Sequence, residues 1–508
     1  MTRSPTALPR ATPSLLGVDP AGIAGFLDSV AADGLELHGF MLLRRGAVVA
    51  EGTWGPYALD IPHMLHSATK SWTGFAVGLA VDDGVLRLDD RVISFFPEHL
   101  PNPVHPHLAA MTVRDLLTMR TGHRTGISGG EWRTQQDSWV RAFLAEPVPD
   151  PPGADFMYSS GSSYMLSAIV TRVTGRTVHD LLTERVFGPT GTGSGVSWDL
   201  SPEGYSTGGN GLSCLLEDMA RFGLLHLRGG LWNGRRIVSE DWVRAATSNQ
   251  VREAWLGSLD GRRYAGSADA ITARRMAGYG YHWWMTDHGG YRASGLFGQH
   301  CLVLPEQDAV LAINAALLPE EPRLMAKVWT HLLPAFGTPH ADGPADAALS
   351  RQLASLALPT PDGAMDAPLA QSISGRRWAM DSNDDGIRAV SLRFEAVTCS
   401  FTLEDERGTH RIVAGFGHDV TGETTMTGRR LHHQYEPDRL RVVARAAWPA
   451  PDCLVMTWQF VETAFRDTVT CRFEGNALRL ERHVNTNVGE RERPAVTGHL
   501  LIPAEEPS

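Results

Sequence analysis

The sequence predicts two structural units. The first is an α+β unit, an antiparallel sheet flanked by helices, and the second is an all-β antiparallel barrel or sandwich. Three observations carry this. Strand-like pairs stand at both ends of the first 340 residues with helical patterns between them, so the first and last segments share one sheet. Residues 334–370 are rich in Pro, Ala, Gly and Asp, the composition of a connector. From about Ile373 short alternating segments replace the helical patterns. At 508 residues the chain also exceeds what one core serves, because single cores stop growing near ~250–300 residues. The expected boundaries are 1–340, a linker over 341–370, and a β domain over 371–508.

Each element has a local reason. Gly39–Gly52 reads as two strands around a turn at Arg45-Gly46. A helix starts at Ser67 and runs to about Asp82, stopped by Gly84. Thr112-Val113-Arg114-Asp115 has capping-box character and is expected to open a helix over Asp115–Met119, before a turn at Thr121-Gly122. The Gly-, Pro- and polar-rich stretch 126–155 is expected to form loops over a cleft. An apolar helical pattern follows from Tyr164 to Val173, ended by Gly175. Another spans about 215–228, ended by Gly229-Gly230.

Residues 278–285 read as a strand, as do Gly298–Leu304 and Ala309–Asn314, joined by a turn at Pro305–Asp308. A closing helix is expected from about Pro322 to Leu333, and a short one at Asp346–Leu356 within the linker. In the β domain the strands are Ala389–Glu395, Cys399–Leu403, His410–Ala414, Leu440–Ala446, Leu454–Phe460, Thr468–Phe473 and Leu478–His483.

Composition excludes several function classes. The 57 acidic against 46 basic residues give a net charge of −11, which argues against nucleic acid or an anionic membrane as the main partner. No apolar run approaches the ~18 residues of a membrane-spanning helix. The opening Met1-Thr2-Arg3-Ser4-Pro5 has no apolar signal region, so a cytoplasmic location is expected. The five cysteines are odd in number and scattered without CxxC spacing, the pattern of reduced, buried thiols. His432-His433 and His105-Pro106-His107 lack a carboxylate or cysteine at ligand spacing, so no metal is expected, and no cofactor either.

One composition fact points to chemistry. Of the 46 basic residues only Lys70 and Lys327 are lysines. Arginine cannot lose its proton in a protein, whereas a buried lysine can. A lysine kept where lysine is nearly absent suggests that a proton must leave that nitrogen. Lys70 lies in His66-Ser67-Ala68-Thr69-Lys70-Ser71-Trp72, three residues after a serine, and on a helix such positions share a face. Ser-x-x-Lys is an arrangement in which a neutral lysine takes the proton of a serine nucleophile. The helix amino terminus adds a partial positive charge that favours a developing alkoxide. Tyr158, in Tyr158-Ser159-Ser160 about 90 residues later, is the second acid–base candidate, because a phenol beside an ammonium is pushed toward phenolate. Trp283 and Trp284, with Tyr279, are candidate walls of an apolar substrate pocket.

Residues 62–340 resemble the serine β-lactamase/penicillin-binding-protein family, in the branch of class C β-lactamases, family VIII esterases and nylon-oligomer hydrolases. The similarity rests on Leu65–Ser71, on Leu86-Arg87-Leu88-Asp89-Asp90, on Met111–Met119 and on Gly230–Ile237, in the family's order and spacing. It implies a β-lactamase/transpeptidase-like fold and a covalent acyl-enzyme on Ser67, with Lys70 and Tyr158 as acid–base partners. It implies that Ser160 steadies the lysine and the substrate, standing where the family's tyrosine motif has asparagine. The family's third motif, Lys- or His-Thr-Gly, is replaced by Ala293-Ser294-Gly295. Ser294 and Gly295 are then substrate-binding residues, and the N–H groups of Ser67 and Leu296 form the oxyanion hole. Ala293 supplies no cation for a substrate carboxylate, which weakens the case for β-lactamase or carboxypeptidase activity. Arg292 and His300 are candidate substitutes. The β domain resembles lipocalin-like appendages of this family, which either shield the cleft or mediate homo-oligomerisation.

These readings converge on a cofactor-free serine hydrolase acting on a small-molecule ester, amide or peptide. Two alternatives stand beside it: an acyl transferase or peptide cyclase using the same acyl-enzyme, and a catalytically silent, penicillin-binding-like recognition protein.

Overall fold

The computed structural model describes residues 7–124, 134–193, 195–256, 274–318, 321–341, 343–426 and 428–501. Of the expected cleft-side loops, 126–133 lie outside these. The chain divides into two units, Met1–Leu356 and Ala357–Ser508.

In the first unit the helix α1 (Pro20–Ala32) precedes a hairpin of β1 (Leu37–Arg44) and β2 (Ala47–Thr53). The hairpin turns where expected, through left-handed backbone at Arg45 (φ 52°) and Gly46 (φ 83°). Next come α2 (Thr69–Asp82), α3 (Val113–Leu117), α4 (Ser160–Thr174) and α5 (Leu216–Leu227). The strands β3 (Trp284–Met285), β4 (Tyr291–Gly295), β5 (Gln299–Leu304) and β6 (Ala309–Ala315) follow, then α6 (Glu321–Lys327) and α7 (Pro344–Ala354). The sheet order is β3-β4-β5-β6-β1-β2, antiparallel throughout. The first and last segments of the unit therefore pair, Phe40 opposite Ile313 and Leu42 opposite Leu311.

Alternation along β1 divides the unit into layers. Phe40 meets Phe26 of α1, with ring centroids 5.5 Å apart. Met41 and Leu43 join the opposite core with residues of α2, α4 and α5. Every residue of α2 from Thr69 to Ala80 is buried. A helix apolar or small on all faces belongs in the middle of a layer, and the sequence Gly74-Phe75-Ala76-Val77-Gly78-Leu79-Ala80 meets that condition.

Several expectations are corrected. The strand over 278–285 shrinks to Trp284–Met285, because Gly278 (φ 148°) and His282 (φ 62°) leave the extended region. The helix expected over Asp115–Met119 begins at Val113 instead. Thr112 is its cap, with Thr112 Oγ1 accepting from Asp115 N at 3.3 Å and Asp115 accepting from Thr112 N at 2.8 Å. α4 starts at Ser160, ahead of the apolar pattern, because small polar residues fill its first turn. The closing helix is regular only through Lys327, then widens into a π-helical turn over Val328–Leu332. Within 341–370, α7 packs on α1 and β2 and so lies inside the first unit.

The second unit is a barrel. Its strands are β7 (Arg377–Met380), β8 (Ala389–Glu395), β9 (Thr398–Asp405), β10 (Gly408–Phe416), β11 (Val420–Thr424), β12 (Leu440–Ala450), β13 (Cys453–Phe460), β14 (Arg466–Glu474), β15 (Ala477–Val484) and β16 (Val496–Leu500). They form one sheet in the order β10-β9-β8-β7-β16-β15-β14-β13-β12-β11, and pairing of β10 with β12 closes nine of them into a barrel. Closure removes the open edges that a flat sheet presents. The expected strands are all present. β7, β11 and β16 are additional, and the last two carry a glycine, Gly422 and Gly498, that weakens their pattern.

All five cysteines are free and buried. Burial raises the thiols of Cys214, Cys301, Cys399 and Cys471 above the ordinary range. The native protein should therefore resist Ellman's reagent, with five thiols titrating only after unfolding in guanidinium chloride. Rapid reaction of more than one thiol in the folded state would contradict this packing.

Candidate active site

Ser67 occupies a short helical turn, His66–Ala68, that leads directly into α2. His66 enters it with φ 48°, a conformation that costs a non-glycine residue of order 1–3 kcal/mol and is typical of functional turns. Phe297 packs edge-on against the His66 ring at 5.1 Å. From His63 to Ala80 every residue is buried except Ser67. The turn thus presents one hydroxyl at the surface of an otherwise closed core.

Lys70 lies one helical turn on and is 1% exposed. Its ammonium donates to Ser67 Oγ at 2.9 Å, to Ser160 Oγ at 3.1 Å and to the Gly209 carbonyl at 2.8 Å. An ammonium has three donors, so every one is matched. Burial nevertheless pushes the group down to about 7, because removing water disfavours the charged form. The Nζ atom also sits 4.9 Å from the centroid of the Tyr158 ring. Tyr158 is held by Trp284, with centroids 5.2 Å apart, and by Tyr279 at 6.3 Å.

Three segments position these groups. Ser160 opens α4, and α4 packs on α2. The loop 207–212 is tied to α2 by Thr73 Oγ1, which donates to the Gly208 carbonyl at 2.8 Å, and by Thr69 Oγ1, which accepts from Leu212 N at 3.3 Å. His282 completes the support, its Nδ1 3.0 Å from the Lys70 carbonyl. Burial, then the neighbouring Lys70 charge, holds that imidazole down at about 3, so it stays neutral. The Gly209 carbonyl was not legible in the sequence. Gly208-Gly209-Asn210-Gly211 reads as a plain loop, and a backbone acceptor leaves no side-chain signal.

On the far side β4 runs into the site. A Cβ on Gly295 would fall 2.1 Å from the Leu65 carbonyl and 3.1 Å from Ala68 N. Only glycine lets the strand press against the Ser67 turn, and Leu296 follows directly at the end of β4. Ser294 is half-buried, and its Oγ shares a hydrogen bond with His300 Nδ1 at 3.2 Å. Ala293 is 1% exposed and faces the core, so a lysine there would have to bury its ammonium. Arg292 does not stand as a free cation: its Nη2 is 2.9 Å from Glu321 Oε1, and His300 Nε2 is 3.5 Å from the same oxygen.

The structure thus gathers Ser67, Lys70, Tyr158, Ser160 and Gly295. It does not bring Trp283 to the cleft surface. That ring is 1% exposed and packs against Phe222, His226 and Tyr291 in the core. The neighbouring Trp284, the first residue of β3, takes the place beside Tyr158.

A family model described as Beta-lactamase matches residues 27–332. The chain belongs to that family. It is 27% identical over 288 residues to a 6-aminohexanoate-dimer hydrolase of Paenarthrobacter ureafaciens, a match covering 54% of this chain and 70% of the relative. It is 29% identical over 192 residues to Esterase EstB of Burkholderia gladioli, covering 32% of this chain and 49% of that one. Among solved structures, a penicillin-binding protein homolog from Caulobacter crescentus covers 62% of this chain and 99% of its own, at 17% identity and a TM-score of 0.49. Membership of this family, with hydrolase and esterase relatives, makes the chain a serine hydrolase.

Gly295→Ala should lower kcat/KM by at least about tenfold while leaving the far-ultraviolet circular dichroism unchanged, because a ~1 Å displacement at a reacting centre can cost ~10²-fold. Unaltered kinetics in this variant would show that the strand has room to withdraw.

Proposed function

We propose that the enzyme cleaves an ester or a small amide or peptide through an acyl-enzyme on Ser67, with Lys70 as the base and Tyr158 as its acid–base partner. The observation that carries this is the set of three acceptors around one buried lysine. When Lys70 is neutral it has two N–H donors and one lone pair. The Gly209 carbonyl can only accept, and Ser160 Oγ can accept, so these two take the N–H groups. The lone pair is then left for Ser67 Oγ–H at 2.9 Å, the geometry a general base requires.

The proton of Ser67 passes to Lys70 Nζ as Oγ bonds to the carbonyl carbon. The tetrahedral oxygen is held by the N–H groups of Ser67 and Leu296. Proton return to the leaving alcohol or amine, by way of Lys70 and the Tyr158 hydroxyl, leaves the acyl-enzyme, and water then releases the acid. The relatives named 6-aminohexanoate-dimer hydrolase and Esterase EstB support the amide and ester readings respectively. Ala293 facing the core and Arg292 paired with Glu321 favour substrates without a carboxylate beside the scissile bond.

The test is intact-mass spectrometry after a fluorophosphonate probe, alongside p-nitrophenyl acetate and butyrate turnover. Wild type should gain one adduct, and Ser67→Ala should lose both the adduct and roughly 10³-fold or more of turnover. Turnover that survives Ser67→Ala would place the nucleophile elsewhere. Lys70→Arg should be nearly as inactive, since arginine keeps the charge and cannot act as base. Tyr158→Phe keeps the ring and should cost on the order of 10²-fold.

The pH profile follows from Lys70. Below about 7 the lysine is protonated and cannot accept the serine proton. The acid limb of kcat/KM should therefore fall about tenfold per pH unit, with a midpoint near 7. A flat profile between pH 5.5 and 8.5 would remove Lys70 as the base.

A further inference from the structure

The barrel encloses a cavity of about 60 Å³, room for on the order of four waters when one water needs roughly 10–15 Å³. Its lining includes the apolar Phe401, Leu403, Val469 and Leu480 and the guanidinium groups of Arg482, Arg493 and the exposed Arg407. A purely structural barrel of this size fills its interior with apolar side chains, so three guanidinium groups at one cavity need a reason.

Each is anchored by a carboxylate. Arg482 Nε donates to Asp467 at 2.6 Å, Arg493 Nε to Asp385 at 2.9 Å, and Arg407 lies 3.4 Å from Asp405. Two of these carboxylates are also matched by imidazoles, His432 to Asp467 at 2.8 Å and His410 to Asp405 at 2.9 Å. Asp467 is wholly buried. Replacing such a buried network by apolar side chains is often neutral or stabilising by 1–4 kcal/mol, so stability does not account for it. With Glu490, 3.6 Å from Arg493, the cluster holds five groups able to carry positive charge against four carboxylates. A guanidinium has five donors, more than one carboxylate can accept. Arg482 also lies over the Trp458 ring, 5.4 Å from its centroid. Trp458 lines the same cavity, is 1% exposed, and its indole N–H has no hydrogen-bond acceptor among the described residues. A buried donor without an acceptor costs ~1–3 kcal/mol, and a ligand can supply the acceptor.

We propose that this cavity binds a small organic carboxylate, its apolar body against Phe401, Leu403, Val469 and Leu480 and its carboxylate against Arg482 and Trp458. The arrangement has the parts of a small-molecule site, an apolar enclosure with a few placed polar groups, and charge-assisted bonds fix the ligand's orientation.

The test uses the full chain and ¹⁹F NMR, with 4,4,4-trifluorobutyrate as the probe and 4,4,4-trifluorobutan-1-ol as its uncharged isostere. The acid should bind saturably, and at least tenfold more tightly than the alcohol. Arg482→Met should weaken the acid at least tenfold and Trp458→Phe about threefold. Ser67→Ala should change nothing, which separates this site from the cleft. Arg482→Met leaves Asp467 with His432 alone and can destabilise the barrel, so Val469→Phe, which fills the cavity and keeps every charge pair, is the second variant. It should abolish binding while ester turnover persists. Non-saturable binding, equal affinity for the alcohol, or unchanged affinity in Val469→Phe would each overturn the proposal, leaving a cavity that holds water only.

Discussion

The arrangement around Ser67 depends on keeping one ammonium out of water. Taking a lysine from water into a protein interior costs several kcal/mol even after relaxation, and three acceptors at 2.8–3.1 Å offset part of that. The uncompensated remainder is what lowers Lys70 to about 7. Better solvation would return it toward the ordinary range. Fewer acceptors would destabilise the site outright. The lysine therefore sits between two failures, and the surrounding structure holds it there.

Three separate segments must meet for this to work. The turn into α2 carries Ser67 and the first turn of α2 carries Lys70, α4 brings Ser160, and the loop 207–212 brings the Gly209 carbonyl. None is held by the lysine alone. Thr69 and Thr73 fasten the loop to α2, and neutral His282 props the helix from beneath. Because α2 is buried along most of its length, a shift at its start would move the core. Packing thus supplies the rigidity that an acid–base pair needs. The strand β4 contributes by what it lacks, since Gly295 has no Cβ to hold it away from the Leu65 carbonyl.

The two units spend buried charge differently. In the first, a single lysine is left only partly compensated, which tunes its proton affinity. In the barrel, Asp467, Asp405 and Asp385 are each matched by arginine, two of them by histidine as well. Matched pairs hold geometry rather than shift protons, and at a cavity wall geometry is what recognition uses.

Local signals were strong enough to read seven of the ten barrel strands, the β1–β2 hairpin, the end of α2 and the Ser67–Lys70 pair, because period, turn residues and i,i+3 spacing are properties of neighbouring residues. The scarcity of lysine singled out Lys70 before any fold was known. The rest was decided by contacts far apart in the chain. Trp283 and Trp284 are adjacent and alike in sequence, yet only the fold sends one into the core and the other to Tyr158. Gly209 acts through a carbonyl that every residue possesses. Arg292 looked like a free cation until Glu321, 29 positions later, came within 2.9 Å. The sequence determined which residues had chemistry to offer. The tertiary structure decided which of them lost their water, and desolvation is the quantity that lowers an ordinary lysine to about 7.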